Sequence, residues 1–447
     1  MSPMEQGARR VAARLRGAGH IAWFAGGCVR DALRGVEPAD YDIATDAAPA
    51  EVEALFPRTV SVGAKFGVIC VMDGPWQYQV AAFRADGVYL DGRHPIRVTS
   101  ASPETDAHRR DFTVNGMFLD PGTDQVIDFV GGRADLDARL LRAIGDPAAR
   151  FAEDRLRLLR AVRFATTLGF EVDPGTWRAV CADAGAIHEV SAERIRDEIC
   201  RTLAHSSRIR GFDLLDQAGL LRTVLPEIEG LKGCEQPPQF HPEGDVFVHT
   251  RGMLGLLDPD ASLRLVLAVL LHDIGKPPTA TVDADGRIRF NGHDRAGARM
   301  AERVLERLRF ARADIDAVVG MVENHMTFKD VQRMRVAKVK RLMARPTYRE
   351  EIELHRVDCA SSHGLLDNHA FLLAREAEFA AEPLIPPPLL TGRDLLDRGW
   401  KPGPQLGSVL EALQNLQLEG RLRNREEALA WIATEHPDPA QEREGDF

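Results

Sequence analysis

The sequence has no apolar run long enough to span a bilayer, which excludes a helical membrane protein. It has no cysteine framework either. Its six cysteines, Cys28, Cys70, Cys181, Cys200, Cys234 and Cys359, are scattered without a CxxC pair, so neither a disulfide scaffold nor a thiolate zinc ribbon is expected. Free thiols in a cytoplasmic setting are the expectation. Near the N-terminus, Arg9, Arg10, Arg14 and Arg16 stand without the apolar core of a secretory signal, and a short amphipathic helix is expected there. An excess of positive charge is also missing. The formal charge of −10 excludes a protein that coats nucleic acid indiscriminately, because counterion release needs a broad basic surface. Basic groups are instead concentrated locally, as in Arg150, Arg155, Arg157, Arg160 and Arg163.

What is present is a chain of 447 residues, 44% hydrophobic and 28% charged, a length that suits two to four domains. Strand-like runs at Ile21–Ala25, Tyr41–Ile43, Gly67–Met72, Gln77–Phe83 and Gln125–Phe129 alternate with helical signals at Val29–Leu33 and Ala50–Leu55. From Leu136 to about Leu225 the apolar period becomes helical. Pro226, Pro237, Pro238 and Pro242 then interrupt it, and Pro386, Pro387 and Pro388 do so again later. The expected architecture is an α/β head with a small mixed sheet and helices (residues 1–135), an all-α neck (136–228), a further helical domain in which histidines are frequent (229–383) and a helical tail (384–447).

The densest chemical signal is Gly26-Gly27-Cys28-Val29-Arg30-Asp31 followed by Asp40-Tyr41-Asp42. Two glycines between a strand and a helix let the backbone come close to a phosphate, whose charge is favoured at a helix N-terminus. If Asp40 and Asp42 share a strand, residues i and i+2 face the same side and their carboxylates lie close together. Such a pair needs a cation, and hard oxygen ligands select Mg²⁺ or Mn²⁺. An Asp-x-Asp alone is more often a solvated turn. Joined to the glycine turn, it points to metal-assisted nucleotidyl transfer.

These residues resemble the class II CCA-adding enzymes and bacterial poly(A) polymerases of the polymerase-beta nucleotidyltransferase superfamily. The resemblance implies that Asp40 and Asp42 hold catalytic Mg²⁺, with Gly26, Gly27 and Arg30 at the nucleotide. It extends to Arg109-Arg110-Asp111-Phe112-Thr113-Val114-Asn115, similar to the family's ribose-sensing motif, where Arg110, Asp111 and Asn115 offer donors and acceptors to a 2′-hydroxyl and triphosphate. It extends also to Glu153-Asp154-x-x-Arg157-x-x-Arg160. On a helix Asp154 and Arg157 would be i and i+3 neighbours. An aspartate that accepts beside an arginine that donates matches cytosine and adenine and leaves uracil and guanine with unpaired groups. Protein would then replace a template, selecting CTP and ATP for a tRNA 3′ end.

Glu193-Arg194-Ile195-x-x-Glu198 resembles the neck element that braces this helix. Phe83 to Pro95 resembles the mobile loop needed to add A, and Val62 to Gly67 resembles the CCA-adding variants. One departure stands out. Gln79 occupies the strand position where many relatives carry a glutamate, so no third acidic metal ligand is expected there.

A second constellation comprises His249, His272-Asp273-Ile274-Gly275-Lys276, His293, His325 and Asp358. Nitrogen and oxygen ligands together suit Mn, Fe, Ni or Mg. Their order resembles the HD phosphohydrolase superfamily, which implies a divalent metal bound by these six residues and a phosphate ester as substrate. Two other readings stay open: a poly(A) polymerase or A-adding enzyme, and an HD phosphohydrolase with a non-catalytic head. The tail, with Thr391-Gly392-Arg393-Asp394 and Pro402-Gly403-Pro404, resembles that of CCA-adding enzymes and is expected either to support RNA or to pack.

Overall fold

The computed structural model describes residues 1–63, 67–86, 98–239 and 241–436. Two of the family-like stretches fall partly outside these residues: 64–66 of the Val62–Gly67 stretch and 87–95 of the Phe83–Pro95 loop. So does the tail from Pro437. The chain forms two compact units. The first comprises Met1–Glu229 with Asp258–Leu263 and Val304–Phe310, and the second comprises the remainder.

The first unit opens with helix α1 (Pro3–Gly17), capped by the Ser2 hydroxyl accepting from the Glu5 N–H. Ala8, Val11, Ala12 and Leu15 recur at helical spacing and bury the stripe that holds it to the sheet. The elements that follow are β1 (Ala22–Ala25), α2 (Gly27–Leu33), β2 (Asp42–Thr45), α3 (Pro49–Leu55), β3 (Thr59–Gly63), β4 (Val68–Asp73), β5 (Trp76–Ala82), β6 (Arg84–Asp86), β7 (Val98–Ser100), α4 (Pro103–His108), β8 (Phe118–Asp120) and β9 (Gln125–Ile127). Seven of these strands form one mixed sheet in the order β3-β4-β5-β2-β1-β8-β9, while β6 and β7 form a separate ribbon. Strands β1 and β2 are antiparallel with Ala25 opposite Asp42, and β2 and β5 are parallel with Asp42 opposite Gln79.

The sequence pattern did not disclose β3 or β8. Thr59-Val60-Ser61 is a polar edge strand, and β8 is too short to show alternation. Beneath the sheet, Ala25, Ala44, Phe83, Ala107 and Phe118 form a core in which the Phe83 and Phe118 rings meet edge to face at 5.8 Å.

The helical part of this unit runs α5 (Gly132–Asp137), α6 (Pro147–Glu153), α7 (Leu156–Leu168), α8 (Pro174–Asp183), α9 (Ala192–Leu203), α10 (Arg208–Gln217), α11 (Leu220–Val224) and α12 (Pro226–Glu229). Nearly every apolar residue of α7 is buried, and the helix packs against α9. Arg208, only 2% exposed, uses its guanidinium as a knot of backbone carbonyls: Leu203 at 3.2 Å, Asp258 at 3.0 Å and Pro259 at 2.9 Å. Arg307 forms a two-pronged pair with Glu227 at 2.7 and 2.8 Å.

The second unit contains α13 (Val246–Leu256), the apolar α14 (Leu263–Leu271), α15 (Lys276–Thr279), α16 (His293–Arg307), α17 (Arg312–Asn324), α18 (Val336–Met343), α19 (Tyr348–Ser361) and α20 (Asp367–Phe379), with the ends of α14 and α16 grouping with the first unit. The tail adds α21 (Gly392–Leu396), α22 (Pro404–Leu418) and α23 (Arg425–Glu435) around a core of Leu395, Trp400, Val409, Leu413 and Ile432. Arg341 on α18 bonds Gln414 and Asn415 on α22. Among the described residues no helix is long and apolar enough to cross a membrane.

Candidate functional site: a carboxylate pair in the head and a histidine centre in the helical unit

Strand β1 ends at Ala25, and Gly26 turns the chain at φ +73°, a conformation that favours glycine. A Cβ at Gly26 would lie 3.0 Å from the Arg110 Nη1. Helix α2 begins at Gly27, two residues before the Val29 start that the sequence suggested. Asp42 opens β2, but Asp40 lies two residues before the strand, which corrects the expectation of one strand carrying both. The cause is the partner: β1 pairs as far as Ala25 opposite Asp42, and Gly26 then turns away, leaving residue 40 without a ladder on that side. The two carboxyls still sense each other. Burial, reinforced by the Asp40 charge, pushes the Asp42 carboxyl up to about 6. Gln79 lies exposed beside Asp42 on β5.

Behind this pair runs a buried polar chain. The Arg30 Nη1 donates to the Asn115 Oδ1 at 2.6 Å, the Asn115 Nδ2 donates to the Asp111 Oδ1 at 3.1 Å, and the Arg160 Nε donates to the Asp111 Oδ2 at 2.8 Å. Burial alone would raise the Asp111 carboxyl, but the Arg160 charge and the Asn115 bond hold it down at about 2. Asp111 is therefore an anchor for Arg160 and Asn115 rather than a helix cap. Arg160 and Arg163 also reach Glu198 of α9, so that member of the bracing motif is tied to the same chain.

Asp154 is not helical. It separates α6 from α7 with φ −143° and ψ 103°, which corrects the expectation of one continuous helix through Asp154 and Arg157. Its Oδ1 takes the Leu156 N–H at 3.1 Å, a side-chain bond that competes with the helical ladder and starts α7 afresh. Its Oδ2 accepts from Arg194 at 2.8 Å. The Arg157 fork donates to the Arg150 carbonyl at 2.8 Å, to Glu153 at 2.8 Å and to the Arg109 carbonyl at 2.9 Å.

Two residues of this region escaped the sequence reading. Asp106, 1% exposed, accepts from both Arg109 and Arg110 and from the Arg84 N–H. The i+3 and i+4 spacing to two arginines was the available signal. Phe164 has the guanidinium groups of Arg30, Arg160 and Arg163 over its ring at 5.4, 5.2 and 4.0 Å.

In the second unit the six histidine and aspartate candidates form one connected cluster. His249, His272, Asp273, His293 and His325 are all buried, and among the described residues the potential ligand atoms fall into three overlapping sets: His241, Glu243 and His249; His249, His272 and Asp273; and Asp273, His293 and His325. Asp358 joins through His249, whose Nε2 lies 3.1 Å from its Oδ1. The His293 and His325 Nε2 atoms are 3.1 Å apart. Burial would lower the His249 imidazole, but hydrogen bonds to Asp358 and Glu243 raise it to about 9. Burial, helped by His272, lowers the His325 imidazole to about 4. The His272 Nε2 and both Asp273 oxygens are buried without a well-formed hydrogen bond. The Asp273 Oδ2 lies 3.0 Å from the His272 Nε2 and 2.6 Å from the Lys276 Nζ, and a buried carboxylate set among imidazole nitrogens in this way fits a divalent cation.

Comparisons with known proteins agree along the chain. Residues 22–142 match the model of the poly A polymerase head domain, 169–231 that of the RNA and SrmB-binding site of polymerase A, 246–361 the HD domain and 387–433 tRNA nucleotidyltransferase domain 2. The A-adding tRNA nucleotidyltransferase of Deinococcus radiodurans is 36% identical over 92% of this chain and 94% of its own length. The chain belongs to the class II CCA-adding enzyme and bacterial poly(A) polymerase family. The CCA-adding enzyme of Levilactobacillus brevis is 31% identical over 96% of this chain and 97% of that one. The crystal structure of the Bacillus stearothermophilus CCA-adding enzyme in complex with CTP superposes with a TM-score of 0.73, at 26% identity and complete coverage of both chains. The chain is thus a tRNA nucleotidyltransferase with an HD domain; such families use divalent cations, and residue groups that could hold one lie in the histidine cluster of the second unit.

Proposed function

We propose that this tRNA nucleotidyltransferase builds or repairs the 3′ CCA of tRNA in the cytoplasm, from CTP and ATP and without a nucleic-acid template. The observation that carries the reading is the bond from the Arg157 Nη2 to the Arg109 carbonyl, which ties the base-reading pair to the strip holding Arg110, Asp111 and Asn115. In this reading Asp40 and Asp42 hold Mg²⁺, and the raised Asp42 carboxyl is the electrostatic strain that a cation relieves. Bound there, the metal would acidify the attacking 3′-hydroxyl and offset charge on the leaving pyrophosphate. Gly26 and Gly27 admit the triphosphate, with Arg30 and Arg110 beside it. Asp154 accepts from the exocyclic amine of C or A while Arg157 donates to the ring nitrogen, having released the Arg150 carbonyl and kept its Nη2 on the Arg109 carbonyl. Asp111 and Arg160 keep this wall in place.

His249, His272, Asp273, His293, His325 and Asp358 form a second centre for a divalent metal of the Mn, Ni, Fe or Mg class, suited to hydrolysing phosphate esters at RNA ends.

The 36% identity to an enzyme named A-adding favours a second reading, addition of the terminal A alone. Extension of a tRNA lacking CCA, and of one ending in CC, with each nucleotide separately decides between them. Addition of two C and then A supports the first reading; activity with ATP on the CC-ended substrate alone sinks it.

A further inference from the structure

Proline density marks residues 226–245 as a linker or an elaborated loop in the sequence, and part of this segment reaches the histidine centre of the second unit. Gly244 at φ +131° turns the chain, Asp245 caps α13 through the Val248 N–H at 2.9 Å, and Glu243 folds back over the first turns of that helix. The Glu243 Oε1 lies 2.7 Å from the His249 Nδ1 and 2.9 Å from the His241 Nδ1. A second residue of the segment reaches the same centre. Gln236, 5% exposed, accepts from the Lys276 Nζ at 2.6 Å, and that Nζ lies 2.6 Å from the Asp273 Oδ2.

We infer that Glu243 is a positioning residue for the metal centre, acting through His249. An imidazole that binds metal through one nitrogen is fixed in tautomer and ring angle by the hydrogen bond its other nitrogen makes, commonly to a carboxylate. His249 has this arrangement. Glu243 holds the Nδ1 end of the ring at 2.7 Å, which turns Nε2 toward the space shared with His272, Asp273 and Asp358. Because the side chain of His249 is fully buried, no solvent competes for Nδ1, and the tautomer is set by Glu243 alone on that side. Glu243 lies outside the stretch that matches the HD model, residues 246–361. The inference rests on the reading of this cluster as a divalent-metal site.

The test uses the full chain carrying Asp40→Ala and Asp42→Ala, so that the head does not compete for metal. The protein is stripped with chelator and titrated with Mn²⁺, and free ion is read by electron paramagnetic resonance. Glu243→Gln is expected to weaken Mn²⁺ binding by roughly 10- to 100-fold, the range typical of such outer partners. Glu243→Asp should recover part of the loss, which a change of packing alone would not do. Equal affinity of Glu243→Gln and its parent overturns the inference while leaving the metal site standing. Absence of Mn²⁺ binding in the parent overturns the metal reading itself. If Glu243→Gln does not fold, Glu243→Asp decides alone: affinity reduced several-fold supports the inference, and unchanged affinity refutes it.

Discussion

The Arg194 guanidinium on α9 lies 2.8 Å from the Asp154 carboxylate, so the acceptor proposed to read the incoming base is oriented before any nucleotide arrives. Both partners are only partly exposed, at 24% and 19%, which limits solvent screening. Arg194→Ala should raise the KM for CTP and ATP by roughly tenfold, about 1.4 kcal/mol of binding, with a smaller change in kcat. Steady-state incorporation on a CC-ended tRNA measures this, and an unchanged KM would show that Asp154 needs no brace.

Removing the base-reading groups should change selectivity more than rate. Asp154→Ala and Arg157→Ala are each expected to bring UTP and GTP incorporation up toward that of CTP, because the wrong bases no longer face an unpaired buried group. Single-nucleotide extension of a shortened tRNA gives the ratio. Retained discrimination in both variants would refute the protein-template role.

Asp111 and Arg160 test the wall rather than the chemistry. Asp111 is 7% exposed, and Asp111→Ala takes the nearer carboxylate from the Arg160 charge, with Glu198 at 3.9 Å, and one partner from Asn115. Breaking a buried pair on one side costs on the order of 3 to 5 kcal/mol. A clear drop in the melting transition of the first unit is expected, together with loss of incorporation, whereas an unaltered melt would place Arg160 on other partners.

The raised Asp42 carboxyl has a signed pH consequence. A carboxyl whose folded value is about 6, against an ordinary 3.8, stabilises the fold at low pH and loses that contribution as pH rises through about 6. Chelated protein should therefore lose stability across this interval relative to an Asp42→Asn variant, and Mg²⁺ should restore it at the upper end. Melting temperatures with and without Mg²⁺ follow the effect; parallel curves for the two proteins would contradict it.

The two centres should separate by mutation. Asp40→Ala with Asp42→Ala is expected to abolish nucleotide incorporation while the second unit still binds Mn²⁺. Asp273→Ala is expected to lose that Mn²⁺ and leave incorporation intact. Loss of both functions in either variant would show that the centres depend on one another.

Residues whose neighbours are close in sequence were legible. The Gly26 turn, the capped N-terminal helix and the His272-Asp273 step each follow from spacing and backbone preference. Positions decided by distant partners were harder. Asp40 fell off the strand because β1 stops at Ala25, and Asp154 left the helix because its carboxylate captured a backbone N–H. Asp106 and Glu243 carried local signals, two arginines at helical spacing and a histidine six residues on. A carboxylate in a polar stretch nevertheless reads as solvated until the fold shows it buried or bonded.

Arg208 sets a practical boundary on this molecule. Two carbonyls that its guanidinium binds belong to Asp258 and Pro259, well beyond the point where the first unit would be cut if it were taken as residues 1–229. Arg307, the partner of Glu227, lies further still. The catalytic half is therefore not a contiguous cassette. A chimera or truncation ending at Glu229 would take the Asp258 and Pro259 carbonyls from a buried cation and Arg307 from Glu227, so exchange of parts between relatives needs its seam placed after Phe310, not at the proline-rich stretch that reads as the natural joint.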